Sequence, residues 1–205
     1  MRIKTSIALG VLSCCAIIFV WPQSSNAQTN SEAKPQKEQF AANAFLPHGA
    51  GRRMVAPGTL MPVNIYVDGY SSDAEIQQLQ GALVDGGPDA LHKMLEDMKP
   101  KGKITLVGRV GFYDLKAIRS RPTETGRRLI AVTDRPIGFL EAYYANPSQD
   151  YKIGILILDL KKNEKGKERG EGQLIYAARV KLKDNVVEVE HYAISPVILR
   201  NVHKW

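Results

Sequence analysis

Four arginines stand close together in the sequence, in a segment that is rich in positive charge. Between positions 109 and 135 there are seven Lys and Arg residues against three Asp and Glu residues. A guanidinium group can hold a carboxylate, sulfate or phosphate through two parallel hydrogen bonds. The sequence therefore indicates a candidate anion site, and its members are Arg119, Arg121, Arg127 and Arg128. Two alternatives are that these side chains simply extend into solvent, or that Glu124 or carboxylates of a neighbouring strand neutralise them.

Two aspartates, Asp114 and Asp134, lie near the two ends of the same segment. If they faced each other, one carboxyl pKa would rise, and the pair could work as a general acid and a general base. The sequence contains no GxSxG, SxxK or phosphate-loop motif that would supply a nucleophile or a nucleotide site. We therefore expect a non-catalytic protein, with a hydrolase that uses these two aspartates as an alternative.

The histidines do not form a metal-binding pattern. His92 has Glu96 one helical turn away, which is typical of an exposed helix pair. His191 alternates with Val187 and Val189 on a predicted strand, whereas Glu188 and Glu190 point to the opposite face, so the histidine and the two carboxylates cannot converge on one ion. We expect neither a metal nor a cofactor.

The arginines lie on two predicted strands, 113–121 and 127–134, which are joined by a turn at 122–126. Proline presets a turn dihedral at the start of this segment, and glycine tolerates a positive one at its end. The sequence therefore predicts a β-hairpin that presents the basic side chains.

Two registers are possible for this hairpin. A five-residue loop would pair Ile118 with Ile130 and set Arg121 against Arg127. A four-residue loop would set Arg119 against Ile130. Because cross-strand neighbours interact most favourably when they are alike in polarity, we prefer the first register.

The fold class follows from the order of the predicted elements. A capping box at Ser72 and Glu75 begins one helix, the sequence 85–88 ends it, and a second helix starts at Asp89. Strand patterns then cover 63–67 before the helices and 104–110, 113–121, 127–134, 153–160, 172–182, 186–192 and 196–202 after them. We expect an α+β fold in which a helical hairpin packs on an antiparallel meander sheet. The alternative is a small closed, lipocalin-like β-barrel with an internal ligand cavity.

Residues 1–27 have the pattern of a secretory signal peptide. Arg2 and Lys4 precede an apolar run at 7–21, and small residues before Ala27 favour cleavage after that residue. The expected location is therefore outside the cytoplasm, periplasmic or extracellular. We expect no membrane span after cleavage.

Two alternatives remain for the N-terminus. The apolar run could stay attached as an anchor helix, or Cys14 could be the lipid acceptor of a lipoprotein signal, although the run continues past it through 16–20. Both cysteines, Cys14 and Cys15, lie inside the signal. A chain cleaved after residue 27 would therefore have no disulfide and no thiolate metal site.

The rest of the chain divides into a leader and one domain. Residues 28–57 are rich in Gln, Asn, Ala, Lys and Pro without an apolar period, which predicts a flexible leader, and 58–205 would form a single domain. Removing Arg2 and Lys4 from the 28 basic residues leaves 26 against 21 acidic ones, a net charge of +5. With no nucleic-acid-binding motif, this charge favours anionic ligands or envelope components over nucleic acid.

Several sequence blocks resemble a group of exported bacterial proteins that share a TDRPI-type block and have no assigned function. The blocks are SDAEIQQLQGAL, GGPDAL, GRVGFYDLKAIRSRPTETGRRLIAVTDRPI and EHYAISPVILRNV, and they span about 66–202. The resemblance implies a single domain behind a signal peptide, and it implies no catalytic residues.

These observations lead to one functional hypothesis and two alternatives. We expect an exported, non-catalytic domain that binds an anionic ligand or an envelope component, partner unknown, through its basic hairpin. The alternatives are a carrier of a small apolar ligand inside a β-barrel and the hydrolase described above.

Overall fold

The computed structural model describes residues 37–45, 60–108, 110–137, 150–183, 186–191 and 196–205, with only the backbone described at 183, 186 and 191. The predicted signal peptide lies outside these residues. The described elements are β1 Glu38–Phe45, β2 Leu60–Val67, α1 Asp73–Asp97, β3 Gly102–Leu106, β4 Tyr113–Thr123, β5 Gly126–Thr133, β6 Ile153–Lys162, β7 Glu168–Lys183, β8 Val186–His191 and β9 Val197–Lys204.

The strands form a closed antiparallel barrel. Neighbours run in the order β6-β5-β4-β3-β2-β1-β9-β7, and β7 also pairs with β6, which closes a ring of eight strands. The C-terminal part of β7 extends beyond β6 and β9 and pairs with β8. The expected antiparallel sheet is confirmed, and so is the closed barrel of the alternative, although not its internal ligand cavity. The expected meander is wrong in that the sheet is closed rather than open. Closure depends on pairings between strands that are distant in sequence, and local patterns do not contain that information.

Strand β1 corrects the domain boundary predicted from composition. The expectation of a flexible leader at 28–57 is wrong for Glu38–Phe45, because this segment pairs with both β2 and β9. Phe40 is completely buried in the barrel. The barrel domain therefore begins at Glu38 rather than at position 58, while 46–59 lie outside the described residues.

The inside of the barrel is an apolar core. Side chains alternate between inside and outside along each strand, as the pleat requires. The inward ones pack, together with Ile137, into one buried cluster, whose members with less than 2% exposure include Phe40, Ile65, Ile104, Leu115, Ile118, Leu129, Leu156, Leu158 and Leu160. An eight-stranded barrel is just wide enough for side chains to fill it.

Helix α1 packs on the outside of the barrel. Its capping box is confirmed, because the Ser72 hydroxyl accepts from the Glu75 amide at 3.2 Å and the Glu75 carboxylate accepts from the Ser72 amide at 2.8 Å. A kink at Gly87, with φ 69° and ψ −161°, takes the place of the break between the two predicted helices. The expected helical hairpin is therefore one kinked helix. Four buried leucines of α1 form a second apolar cluster with residues on the outer face of β4 to β7. These leucines are Leu79, Leu83, Leu91 and Leu95.

None of the helices described here has the length and apolarity needed to cross a bilayer.

The hairpin of β4 and β5 adopts the register that we did not prefer. Arg119 lies opposite Ile130, and the strands stay paired as far as Thr123 and Gly126. A bulge next to Lys116 inserts one residue, so the register differs on its two sides. Ile130 packs against the outer apolar cluster beneath α1, so it needs no apolar partner on β4. Placing Ile118 opposite Ile130 was therefore a wrong criterion for choosing the register of this hairpin.

Because β1 is part of the closed ring, removing its core side chain should destabilise the whole domain. We expect Phe40→Ala to lower the free energy of unfolding by about 3–5 kcal/mol, the usual cost of truncating a buried phenylalanine. Urea unfolding would measure it. The matched control is Gln39→Ala at the next position, which is exposed and should change stability by less than about 0.5 kcal/mol. A Phe40→Ala variant as stable as this control would contradict the role of β1.

Candidate functional site

A cluster of charged side chains lies inside one end of the barrel. At this end, which we call the mouth, β1, β5 and β7 begin and β6 and β9 end. The mouth cluster consists of Glu38 on β1, Arg127 on β5, Glu168 on β7, Lys204 on β9 and Tyr70, which follows β2.

Strand alternation places these side chains inside. Glu38 is two residues before the buried Phe40, and Arg127 is two residues before the buried Leu129. Lys204 continues the inward positions of β9 in the same way. The mouth cluster therefore forms the last layer of the barrel interior, where the apolar core meets solvent.

Arg127 is the centre of the mouth cluster. Its Nε donates to Glu168 Oε1 at 2.7 Å, and its Nη2 donates to Glu168 Oε2 at 2.6 Å. The same Nη2 lies 3.1 Å from both carboxylate oxygens of Glu38. Its Nη1 donates to the Tyr70 hydroxyl at 2.9 Å. Below this network the guanidinium carbon lies 5.8 Å from the centre of the Phe40 ring.

Glu38 is the most buried charge of the mouth cluster, with 4% of its side chain exposed. It accepts a hydrogen bond from Lys204 Nζ at 2.7 Å and another from the Tyr70 hydroxyl. A buried carboxylate is tolerated when each of its oxygens has a donor. Glu38 meets that condition with donors from three different parts of the chain.

The surroundings shift the pKa values of this layer. Burial alone would raise the pKa of Glu38, but hydrogen bonds from Lys204 and Tyr70 and the charge of Arg127 hold it below its ordinary value of 4.5. Burial and the bond to Glu38 raise the pKa of Tyr70 above its ordinary value of 10.0. Burial would lower the pKa of Arg127, yet its bond to Glu168 and the adjacent negative charges raise it. Near neutral pH, Glu38 is therefore an ionised carboxylate and Tyr70 a neutral phenol beside the Arg127 cation.

An open cavity of about 1030 Å³ lies above the mouth cluster. The turn between β4 and β5, the turn between β6 and β7 and the end of β9 form its walls. Its charged lining comprises four cations and two carboxylates: Arg127, Lys162, Lys167, Lys204, Glu38 and Glu168. Trp205, whose surface is 65% exposed, adds an aromatic ring to the rim. The cavity is therefore polar, has a positive balance and offers one flat apolar surface.

The four arginines predicted as an anion site are divided between the two faces of the barrel. Arg127 points inward to the mouth cluster, whereas Arg119, Arg121 and Arg128 lie on the outer face. Arg121 and Arg128 are directly opposite each other. The structure does not bring all four side chains to one place.

Two of the three outer arginines have carboxylate partners. Arg119 forms an ion pair with Asp73 in the first turn of α1. Arg128 holds Asp159 with two bonds, of 2.6 Å from Nε and 3.1 Å from Nη2, which raises its pKa. Arg121 is exposed. Neighbouring elements thus neutralise much of the charge that the hairpin sequence carries.

Asp134, one of the two aspartates of the hydrolase alternative, forms an ion pair with Lys116. Its carboxylate lies 3.1 Å from Lys116 Nζ, and this ammonium group also donates to the backbone carbonyls of Glu96 and Met98 at 3.0 Å each. The Asp134 carbonyl contacts His92 Nε2 at 2.8 Å. These contacts attach the C-terminal end of α1 to the barrel.

The other predicted candidates lie apart from the mouth. Asp114 on β4 lies opposite Lys103 on β3 in the strand register. His92 and Glu96 lie 3.7 Å apart on α1, as their spacing predicted. No group of three or more potential metal ligands occurs among the described residues.

The sequence identified one member of the mouth cluster, Arg127, and missed the rest. A signal was present for Glu38 and Lys204, because each alternates with buried apolar positions: Phe40 for the first and Val202 for the second. That alternation is recognisable only once both segments are known to be strands of one barrel.

Because of the network around Glu38, the free energy of unfolding should depend on pH. We expect Glu38→Gln to destabilise the protein by roughly 3 kcal/mol near neutral pH, as for breaking a buried ion pair. Because the folded pKa of Glu38 lies below 4.5, its contribution is complete above that pH and is lost as the pH falls through the folded pKa. The difference between wild type and variant should therefore narrow in acid.

Urea unfolding at a series of pH values would measure this difference, with Glu164→Gln at the exposed hairpin tip as the control. A gap between wild type and Glu38→Gln that stays constant down to the acid limit of folding would contradict the assignment.

Comparisons of the chain with protein-family models, with curated proteins and with solved structures gave no match. The resemblance to exported proteins with a TDRPI-type block thus stays a prediction.

Proposed function

We propose that this protein is a non-catalytic binding domain that takes a small anionic ligand into the cavity at the barrel mouth. The observation that carries the proposal is the charge of the lining, where four cations outnumber two carboxylates. Lys162 and Lys167, on the turn side of the cavity, have no ion pair within the described part of the chain. They supply the positive charge that the mouth cluster does not already use.

The inner wall of the cavity favours a defined orientation of the ligand. Arg127 and Lys204 are held by Glu38 and Glu168 through short bonds, so these cations are fixed before a ligand arrives. Fixed donors bind with little loss of side-chain entropy. The exposed ring of Trp205 offers contact to a flat or apolar part of the same molecule.

The size of the cavity limits the class of ligand. Ligand sites typically measure about 300–1,000 Å³, and the mouth cavity, with about 1030 Å³, lies just above the upper limit of that range. A small molecule with a carboxylate, sulfate or phosphate group fits these dimensions and this charge. An exported location, as predicted from residues 1–27, is part of the proposal.

The two alternative functions have less support. An apolar ligand inside the barrel would compete for the space that the buried side chains of the core occupy. A hydrolase would need a free carboxylate at Asp134, whose side chain is engaged by Lys116.

The proposal predicts a stabilisation by anions that depends on the two lysines of the cavity. We expect phosphate, sulfate and citrate to raise the thermal midpoint of the wild type above a chloride control at the same ionic strength, as linkage requires. The extra stabilisation should be largely lost in a Lys162→Ala/Lys167→Ala variant.

The matched control is a Lys93→Ala/Lys99→Ala variant, which removes the same charge from exposed positions on and just after α1. Sulfate also stabilises proteins by exclusion from their surface, so the informative quantity is the difference between the two double variants. Equal anion effects in both of them would rule out the mouth cavity as the binding site.

A further inference from the structure

The loop between β3 and β4 presents apolar side chains to solvent at the end of the barrel opposite the mouth. In its described residues, 107, 108 and 110–112, which we call the tip loop, Val107 is 52% exposed, Phe112 is 50% exposed and Val110 is fully exposed at 108%. Gly108 has a φ of 80° and Gly111 a φ of 112°, on either side of Val110. Residues other than glycine rarely adopt such positive φ angles. Val110 thus lies between two glycines in the left-handed region, and its side chain is exposed to solvent.

The exposed apolar surface continues from the tip loop onto three neighbouring strands. The Val107 amide donates to the Pro62 carbonyl at 3.0 Å, close to Leu60 at the start of β2. Phe45 on β1 lies opposite both Leu60 and Ile198, so these three outward residues form one row across β2, β1 and β9. Leu60 and Ile198 are exposed. Helix α1 covers the other side of the barrel, on β4 to β7.

Cations surround this apolar surface and lie over its aromatic rings. Lys103 Nζ is 5.5 Å from the centre of the Phe112 ring and 5.2 Å from that of Tyr66. The guanidinium carbon of Arg200 is 4.1 Å from the centre of the Phe45 ring. The sequence from 102 to 113 contains no Asp or Glu, and the neighbouring carboxylate is Asp114, which lies opposite Lys103 on β4. The surface therefore combines exposed apolar groups with positive charge.

Arg135 adds a further cation and fixes the end of the tip loop. Its Nη2 donates to the Phe112 carbonyl at 3.1 Å, and its guanidinium carbon is 5.1 Å from the centre of the Tyr113 ring. Arg135 therefore contacts the backbone of Phe112, while Lys103 lies over the Phe112 ring.

We propose that this end of the barrel docks on an anionic lipid bilayer, with Val110 and Phe112 inserted among the lipids and the surrounding cations next to the headgroup phosphates. A single inserted group binds a membrane only weakly, and stable association needs apolar and electrostatic contributions together. Both are present within this surface. A fluid bilayer accepts side chains that project from a loop without a matching pocket, whereas a protein partner would have to supply one.

Co-sedimentation with lipid vesicles tests the proposal on the intact protein. We expect binding to vesicles of phosphatidylcholine mixed with phosphatidylglycerol, weaker binding to phosphatidylcholine alone, and a loss of binding as salt is raised. Val110→Asp should weaken binding to the mixed vesicles by about tenfold or more, since it replaces an inserted apolar group with a charge. Its side chain is fully exposed, so the thermal midpoint should not change.

The matched control is Val187→Asp on β8, where the exposed valine is distant from the tip loop in the strand order. This variant should bind as the wild type does. Inorganic phosphate should compete no better than chloride at equal ionic strength, which separates a lipid surface from an isolated phosphate site. Absence of vesicle binding, equal binding to both lipid compositions, or equal losses in the two variants would each overturn the proposal; the first outcome would direct the search to an acidic protein partner.

Discussion

The ion-pair network of Arg127 with Glu38 and Glu168 is the interaction on which the polar end of the closed barrel depends. It joins β5, β1 and β7 at one end of the ring, and Lys204 adds β9 through Glu38. Burying charges costs several kcal/mol per ion unless their hydrogen bonds are completed within the protein. Here they are completed, since no buried side-chain polar atom lacks a partner in the described part of the chain. The network therefore closes the apolar interior with charged groups and still leaves a polar surface for a ligand.

The sequence predicted those parts of the fold whose signals lie close together along the chain, and it missed those that depend on distant residues. The capping box of α1 and the strand at 153–160 were predictable because their signals lie within a few neighbouring residues. Strand β1 was not, because its inward residues include two alanines, Ala42 and Ala44, and its composition is typical of a linker. The hairpin register was missed because one extra residue in a bulge changes every pairing beyond it.

The candidate site shows the same limit more strongly. A count of charges indicated that the hairpin is basic, and Arg127 was among the predicted residues. The partners that determine its chemistry come from β1 and β7, 89 and 41 positions away. The two lysines that supply the free positive charge of the cavity lie at the base and tip of the hairpin between β6 and β7. This segment reads as a solvated charge run because its lysines alternate with glutamate and glycine.

The adjacency of β1 and β9 has a consequence for how the chain folds. These two strands pair along their lengths, and the ion pair of Glu38 with Lys204 joins residues 166 positions apart. Contacts of such high sequence separation carry a large loop-closure entropy, and folding rates fall as the mean separation of contacts rises. The ring cannot close on the ribosome before β9 has been synthesised. Until that moment β1 and β7 would each have an unpaired edge, which leaves the nascent barrel open to wrong edge-to-edge pairing.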